Sequence, residues 1–261
     1  MNIWVLLLLC VVQGLTEFLP VSSSGHLLFV EQVFGITENL MLINLFLHVA
    51  TLLAVVIVYR KIIWELLKRP FQPYTLKLLI ATIFSVVLAF LYKFSGLENY
   101  VTKIYPFGFL LTSILLLCCH WFQKKTVSVT SGELSLKHSI FVGVVQGVAV
   151  VPGLSRSGST ISSLILSGRS EKQASEFSFL LSIPIIIGGF VLELLSYKPS
   201  GINFNFSIIS IYIFAFILTF IVSLFALKVT IKLLKKQKFI FFSVYTFLMF
   251  IITFILNYFM F

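Results

Sequence analysis

QGLTEFLPVSSSGH, from Gln13 to His26, and QGVAVVPGLSRSGS, from Gln146 to Ser159, are two versions of one polar phrase in an otherwise apolar chain. Val11-Val12-Gln13-Gly14 returns as Val144-Val145-Gln146-Gly147, and Ser22, Ser24 and Gly25 return at the same offset as Ser155, Ser157 and Gly158. Such self-similarity marks a chain built from two related halves. The copies also differ, and the differences are chemical. Where the first has Glu17, Ser23 and His26, the second has Val150, Arg156 and Ser159. One copy supplies an acid, a nucleophile and a base, and the other supplies a cation.

Of the 261 residues, 59% are hydrophobic, 16% aromatic and only 11% charged, more apolar side chain than a soluble domain can bury. The chain is therefore read as an integral membrane protein whose partner is the lipid bilayer. A net charge of +10 would suggest nucleic acid as the partner of a soluble protein. Here the cations gather in short segments between apolar spans, where they set orientation in a membrane, and no nucleic-acid partner is expected. Cys10, Cys118 and Cys119 lie in apolar stretches without CxxC spacing and read as small buried hydrophobes. The opening MNIWVLLLL has neither a basic leader nor a small-residue cleavage site, so it is expected to be retained as structure.

Six stretches, about residues 41–59, 74–94, 104–123, 173–197, 205–227 and 239–260, are long enough to cross roughly 30 Å of hydrocarbon as helices. The motif regions, 3–34 and 138–167, are apolar at both ends but interrupted by Pro, Gly and Ser in the middle. Non-helical backbone survives at membrane depth only when buried in protein or lining a watery cavity. Each motif region is therefore expected to be a re-entrant helix, loop and helix with the polar loop at its tip. One such element and three spans per half make an odd number of crossings. The halves 1–130 and 131–261 are then inverted within a single membrane domain, 1–261, and their tips meet near the midplane. The expected fold is an all-α integral membrane protein, with six spans and two re-entrant elements in an inverted-topology repeat.

Charge agrees with that topology. Arg60, Lys61, Lys68 and Arg69, then Lys124, Lys125 and Lys137, then Arg169 and Lys172, then Lys228 to Lys238 fall in loops on one side. Lys93, Lys103 and Lys198 fall on the other. The positive-inside rule makes the first set cytoplasmic and places both termini outside.

Ionisable groups at membrane depth are costly, which singles out Glu17, His26 and Arg156. The plainest reading is a buried ion pair that only fixes the loops. Against it, Gln13 and Glu17 are four residues apart, on one helix face, and Ser22, Ser23, Ser24 and Gly25 follow beside a helix start, where unpaired N–H groups favour anions. The second tip, Ser155-Arg156-Ser157-Gly158-Ser159-Thr160, joins a guanidinium fork to hydroxyls, and Gly153 and Gly158 let backbone approach a ligand. This reads as a phosphate cradle. Other polar groups carry less. Asn44 and His48 are expected to hydrogen-bond to a neighbouring helix or else to contact the site, Glu176 and Glu193 to reach the interface, and His120 and His138 to be solvated. The Phe-rich stretch 239–261 reads as lipid-facing bulk, and Pro184 with Gly188 and Gly189 as a kink or tight packing.

QGLTEFLPVSSSGHL at Gln13 to Leu27, PGLSRSGST at Pro152 to Thr160 and FSFLLSIP at Phe177 to Pro184 resemble the motifs of the undecaprenyl-pyrophosphate phosphatases of the bacitracin-resistance type. The resemblance covers nearly the whole chain. It implies hydrolysis of a polyprenyl pyrophosphate lipid, undecaprenyl pyrophosphate, to undecaprenyl phosphate and inorganic phosphate, recycling the carrier for cell-wall synthesis. It also implies a divalent cation, Mg²⁺ or else Ca²⁺, and a site in the bacterial cytoplasmic membrane open to its outer face. The family's first motif has Glu or Gln ahead of a fixed Glu, here Gln13 and Glu17, and these are the ligands it implies for the cation.

The residues suit that chemistry, since cleaving a pyrophosphate is mainly positioning and electrostatics. Arg156 would hold phosphate charge with Ser155, Ser157 and Thr160, and Glu17 with Gln13 would orient the cation or take a proton. Either Ser23 attacks with His26 as base, or His26 activates a water. The type 2 phosphatidic acid phosphatases fit poorly: Lys61 misses Arg69-Pro70 by one position, and Ser162 stands where their histidine belongs. A polyprenyl-phosphate transporter or flippase shares the inverted-repeat architecture, but a pure carrier needs no Ser-His pair beside an arginine. Oligomeric state is left open.

Overall fold

The structure, a computed structural model, describes residues 3–36, 40–125, 133–196 and 206–260. Where it describes regular structure, that structure is helical. The first motif region is two helices, α1 (Ile3–Thr16) and α2 (Ser23–Val33), and the second is α6 (Leu136–Val148) and α7 (Arg156–Leu166). Between and after them run six long helices: α3 (Met41–Lys68), α4 (Pro73–Phe94), α5 (Val101–Lys125), α8 (Glu171–Ser196), α9 (Phe206–Lys235) and α10 (Phe239–Ile255). Each of the six, with α10 extended by the π-helical turn Leu256–Met260, is long and apolar enough to cross a membrane.

Both motif regions break where the sequence says they must. α1 ends at Thr16, whose hydroxyl turns back to the Val12 carbonyl at 2.6 Å, and Pro20 then removes a backbone donor. α6 ends ahead of Pro152-Gly153. Gly153 has φ +84°, and a Cβ there would lie 1.9 Å from the Tyr105 carbonyl oxygen, so only glycine fits. Pro106 and Pro184 sit inside α5 and α8, as membrane helices tolerate.

Three expectations need correction. Arg60, Lys61, Lys68, Lys93, Lys103, Lys124, Lys125, Lys137, Lys172, Lys228, Lys232 and Lys235 are helical, not in loops, because the helices run on past the apolar stretches. A helix satisfies its own backbone wherever it ends, and long cationic stems reach water from its last turns. At about 1.5 Å per residue, α3 is about 42 Å long, more than the hydrocarbon needs. Gly188 and Gly189 do not pack tightly, since a Cβ on either would meet nothing within 4 Å. Cys118 is exposed, whereas Cys10 and Cys119 are buried as expected. The loop carrying Lys198 lies outside the described residues.

The apolar surface is turned outward as well as inward: Ile83, Val87, Phe225 and Leu248 are all exposed, as side chains against lipid would be. The main core gathers Phe18 from the first tip, Ile161, Leu164 and Ile165 from α7, Phe177 and Phe179 from α8, and Leu116 from α5. Phe18 meets Phe179 edge to face at 5.7 Å. It seats the first tip on α8 while its neighbour Glu17 faces the second tip.

Candidate active site

The two tips meet. Arg156, the first residue of α7, donates from Nη2 to Glu17 Oε1, and Glu17 is only 6% exposed. The other carboxylate oxygen, Oε2, accepts from Ser23 Oγ at 2.6 Å and from Gln13 Nε2 at 3.0 Å. An acid at this depth would be costly alone, and three donors from two halves of the chain hold it ionised. Two polar atoms of the cluster are buried without a partner: Gln13 Oε1 and Arg156 Nη1. A buried guanidinium nitrogen with no acceptor among the described residues is a donor suited to an anion.

The helix starts are built alike. Ser22 caps α2 and Ser155 caps α7, each hydroxyl accepting from a glycine N–H, Gly25 at 3.4 Å and Gly158 at 3.0 Å. Around the contact lies a cleft of ≈ 50 Å³ lined by Thr16, Glu17, Ser22, Ser23, Ser24, Ala149, Leu154, Ser155 and Arg156. Of the expected site residues, Glu17, Ser22, Ser23, Ser24, Ser155 and Arg156 are thus together, with Gln13 behind Glu17.

Others are near but occupied elsewhere. Ser157 donates to the Leu19 carbonyl at 3.1 Å, tying one tip to the other, and Thr160 bonds to the Arg156 carbonyl at 2.8 Å and to Ser178 at 2.6 Å, away from the cleft. Gly25 and Gly158 spend their N–H groups on the caps. Their missing side chains make room for protein, not for ligand: a Cβ on Gly25 would lie 2.6 Å from the Phe109 ring, and one on Gly158 3.0 Å from Ser155. These four do not line the cleft. Gly153, likewise, gives way to Tyr105.

The expected Ser23–His26 bond is not made. His26 Nδ1 lies 2.6 Å from the Ser22 carbonyl and Nε2 lies 2.7 Å from the Tyr245 hydroxyl, so both nitrogens are engaged, while Ser23 turns to Glu17. The reason is helical: His26 is four residues beyond Ser22, and its ring leans back over the preceding turn.

Profile comparison matches residues 6–252 to BacA, the bacitracin resistance protein family. The chain belongs to that family. Among BacA relatives, the undecaprenyl-diphosphatase of Carboxydothermus hydrogenoformans is 33% identical over 257 residues, 95% of each chain. That of Christiangramia forsetii is 35% identical over 257 residues with the same coverage, and that of Treponema denticola 35% over 263 residues, 94% of each chain. Family and six apolar helices together make this a multi-pass bacterial membrane protein.

Sequence reasoning put one neighbour of the site second and missed another. His48 puts Nε2 3.9 Å from Glu17 Oε2, although its first expected role was a bond to another helix. Its companion Asn44 donates to Glu31 of α2 at 3.3 Å, the bond to a neighbouring helix that was expected. Tyr245 lies in the Phe-rich stretch read as lipid-facing bulk, yet it reaches His26. A histidine at membrane depth was the available signal for the first, and nothing in the local sequence marked the second.

Proposed function

We propose that the chain is an integral membrane phosphatase that hydrolyses undecaprenyl pyrophosphate to undecaprenyl phosphate and inorganic phosphate, returning the lipid carrier to cell-wall synthesis. The carrying observation is the unpartnered Arg156 Nη1 beside a Ser23 hydroxyl that already donates to Glu17. An anion donor, a nucleophile and a proton acceptor are in register before any substrate arrives.

The reaction follows from that order. Arg156 is bonded to Glu17 across the cleft, so the terminal phosphate enters by drawing Arg156 away from Glu17. The guanidinium then forks onto phosphate oxygens, and Glu17 is free to take the Ser23 proton. Ser23 Oγ bonds to the terminal phosphorus, the bridging P–O bond breaks, and undecaprenyl phosphate leaves. Water then cleaves the phosphoserine to free phosphate and restores the hydroxyl. Among the described residues no three His, Cys, Asp or Glu side chains gather, so a divalent cation would find only two protein oxygens here, from the Glu17 carboxylate and from Gln13 Oε1, left without a partner. Bound there, Mg²⁺ or Ca²⁺ would neutralise phosphate charge, taking the rest of its shell from substrate and water.

The site opens to the outer face, both termini lie outside, and the tips are re-entrant parts of an inverted repeat with halves 1–130 and 131–261. Packing supports this: α1 lies on α9 as α6 lies on α4, and α5 pairs with α10. In that last pair, Ser113 Oγ donates to the Ser243 carbonyl and Ser243 Oγ to the Ser113 carbonyl, both at 2.9 Å, the reciprocity that a two-fold axis produces. Single cysteines at Ser200 and Gln237, with Cys10, Cys118 and Cys119 replaced, test the orientation. An impermeant thiol reagent should label position 200 on intact cells, and labelling at 237 alone would reverse the topology.

The activity is tested by phosphate release from undecaprenyl pyrophosphate by the purified protein in detergent. Release should stop with a chelator and with Ser23→Ala. Undiminished release by Ser23→Ala would make water the nucleophile, and no release by the unaltered protein would sink the phosphatase reading.

A further inference from the structure

We propose that Tyr245 is a positioning residue of the first tip: its hydroxyl anchors the His26 ring at Nε2, and His26 in turn holds the backbone that presents Ser23. The consequence for turnover rests on the phosphatase reading, but the geometry does not.

A carbonyl oxygen can only accept, so the Ser22 carbonyl at 2.6 Å requires a proton on His26 Nδ1. A neutral imidazole has one N–H, so Nε2 offers a lone pair and the Tyr245 hydroxyl at 2.7 Å donates to it. A doubly protonated ring would satisfy the first contact too, but His26 is 6% exposed, lies edge-on to Phe109 at 5.2 Å and parallel to Tyr245, and has no acid among its described contacts. A charge there would be uncompensated.

What the chain of bonds holds is a backbone under strain. Ser22 has φ +71°, in the left-handed region that a residue with a side chain rarely enters, whereas its counterpart Ser155 has an ordinary φ of −65°. The hydroxyl of Ser22 bonds to Gly25 N and its carbonyl to His26, and the next residue is Ser23. Tyr245 can hold this from a distance because α10 is itself pinned to α5 by the Ser113–Ser243 exchange, two residues away. Removing the hydroxyl leaves Nε2 a buried acceptor with no donor. The ring then keeps only one of its two anchors, its hold on the Ser22 carbonyl at 2.6 Å loosens, and the tip relaxes.

The test reads the tautomer directly. In protein with ¹⁵N-labelled histidine in detergent, the His26 signals, assigned by their loss in His26→Gln, should show Nδ1 protonated and Nε2 bare. In Tyr245→Phe the Nε2 signal should shift as its donor is lost, and kcat should fall about tenfold while KM stays within about twofold, the scale of one lost hydrogen bond. A proton on Nε2 in the unaltered protein overturns the proposal even where the variant does not fold, and so does a folded Tyr245→Phe with full kcat. Absence of phosphate release by the unaltered protein would count against the phosphatase reading alone, because the tautomer remains measurable.

Discussion

The two tips share a helix cap and differ in how they are held. α7 is enclosed, with every residue from Ser157 to Ile165 buried, while α2 buries only Gly25, His26, Leu27 and Val30 and leaves Val33 exposed. Ser155 caps α7 in relaxed backbone, and Ser22 caps α2 in strained backbone kept in place by His26. The acid of the first tip corresponds to Val150 in the second, where Gln146 donates to Ser85 at 3.3 Å instead of to a carboxylate. Two similar segments thus differ in packing as well as chemistry: the stiff copy carries Arg156, and the looser, strained copy carries Glu17 and Ser23.

The strongest way to break that contrast is to move the carboxylate's charge. Glu17→Gln should lose roughly 10⁴-fold in phosphate release, as removal of a catalytic carboxylate does elsewhere, while Gln13→Glu keeps activity because Glu17 alone meets both Ser23 and Arg156. Metal-dependent turnover surviving in Glu17→Gln would remove Glu17 from the mechanism.

Next in size is the guanidinium. Arg156→Ala should cost about 10³-fold, and Arg156→Lys nearly as much, because a point charge cannot fork onto two oxygens at once. Steady-state rates of the two variants decide it; near-normal turnover by Arg156→Lys would show that charge suffices and geometry does not.

The smallest effect sharpens the packing contrast. A Cβ at Gly25 would press on the Phe109 ring at 2.6 Å and on Gly153 backbone at 2.9 Å, so Gly25→Ala should destabilise the protein by about 1–3 kcal/mol. At Gly158 the nearest atoms are 3.0 Å away and belong to the Ser155 side chain, so Gly158→Ala should cost less than about 1 kcal/mol, unless it disturbs the cap. Thermal unfolding in detergent compares them, and equal losses would mean that the tips are packed alike.

Most of the architecture was legible. Long apolar runs can hide only in lipid, so composition alone called for six spans, and Pro, Gly and Ser within the motifs called for broken helices. Span ends were less legible, because a cation is equally at home in a loop or in the last turns of a helix, as Lys228 and Lys232 show. Within the site, the pairing of Glu17 with Arg156 was foreseeable from the asymmetry of the copies, whereas the partner of Ser23 was misjudged. Nearness in sequence favoured His26, three residues on, but a helical turn aims that ring back at Ser22.

By itself, then, the sequence determined the solvent, the helices, the breaks within both motif regions and which residue types face each other at the tips, since these depend on periodicity, hydropathy and repetition, all local properties. Only the tertiary structure decided which hydroxyl meets which carboxylate, that Thr160 and Ser157 serve packing, and that His48 and Tyr245 belong to the site. The reason is that hydrogen bonds are made over about 3 Å with fixed directions, and such directions between α1, α3, α7 and α10 exist only once the helices have packed.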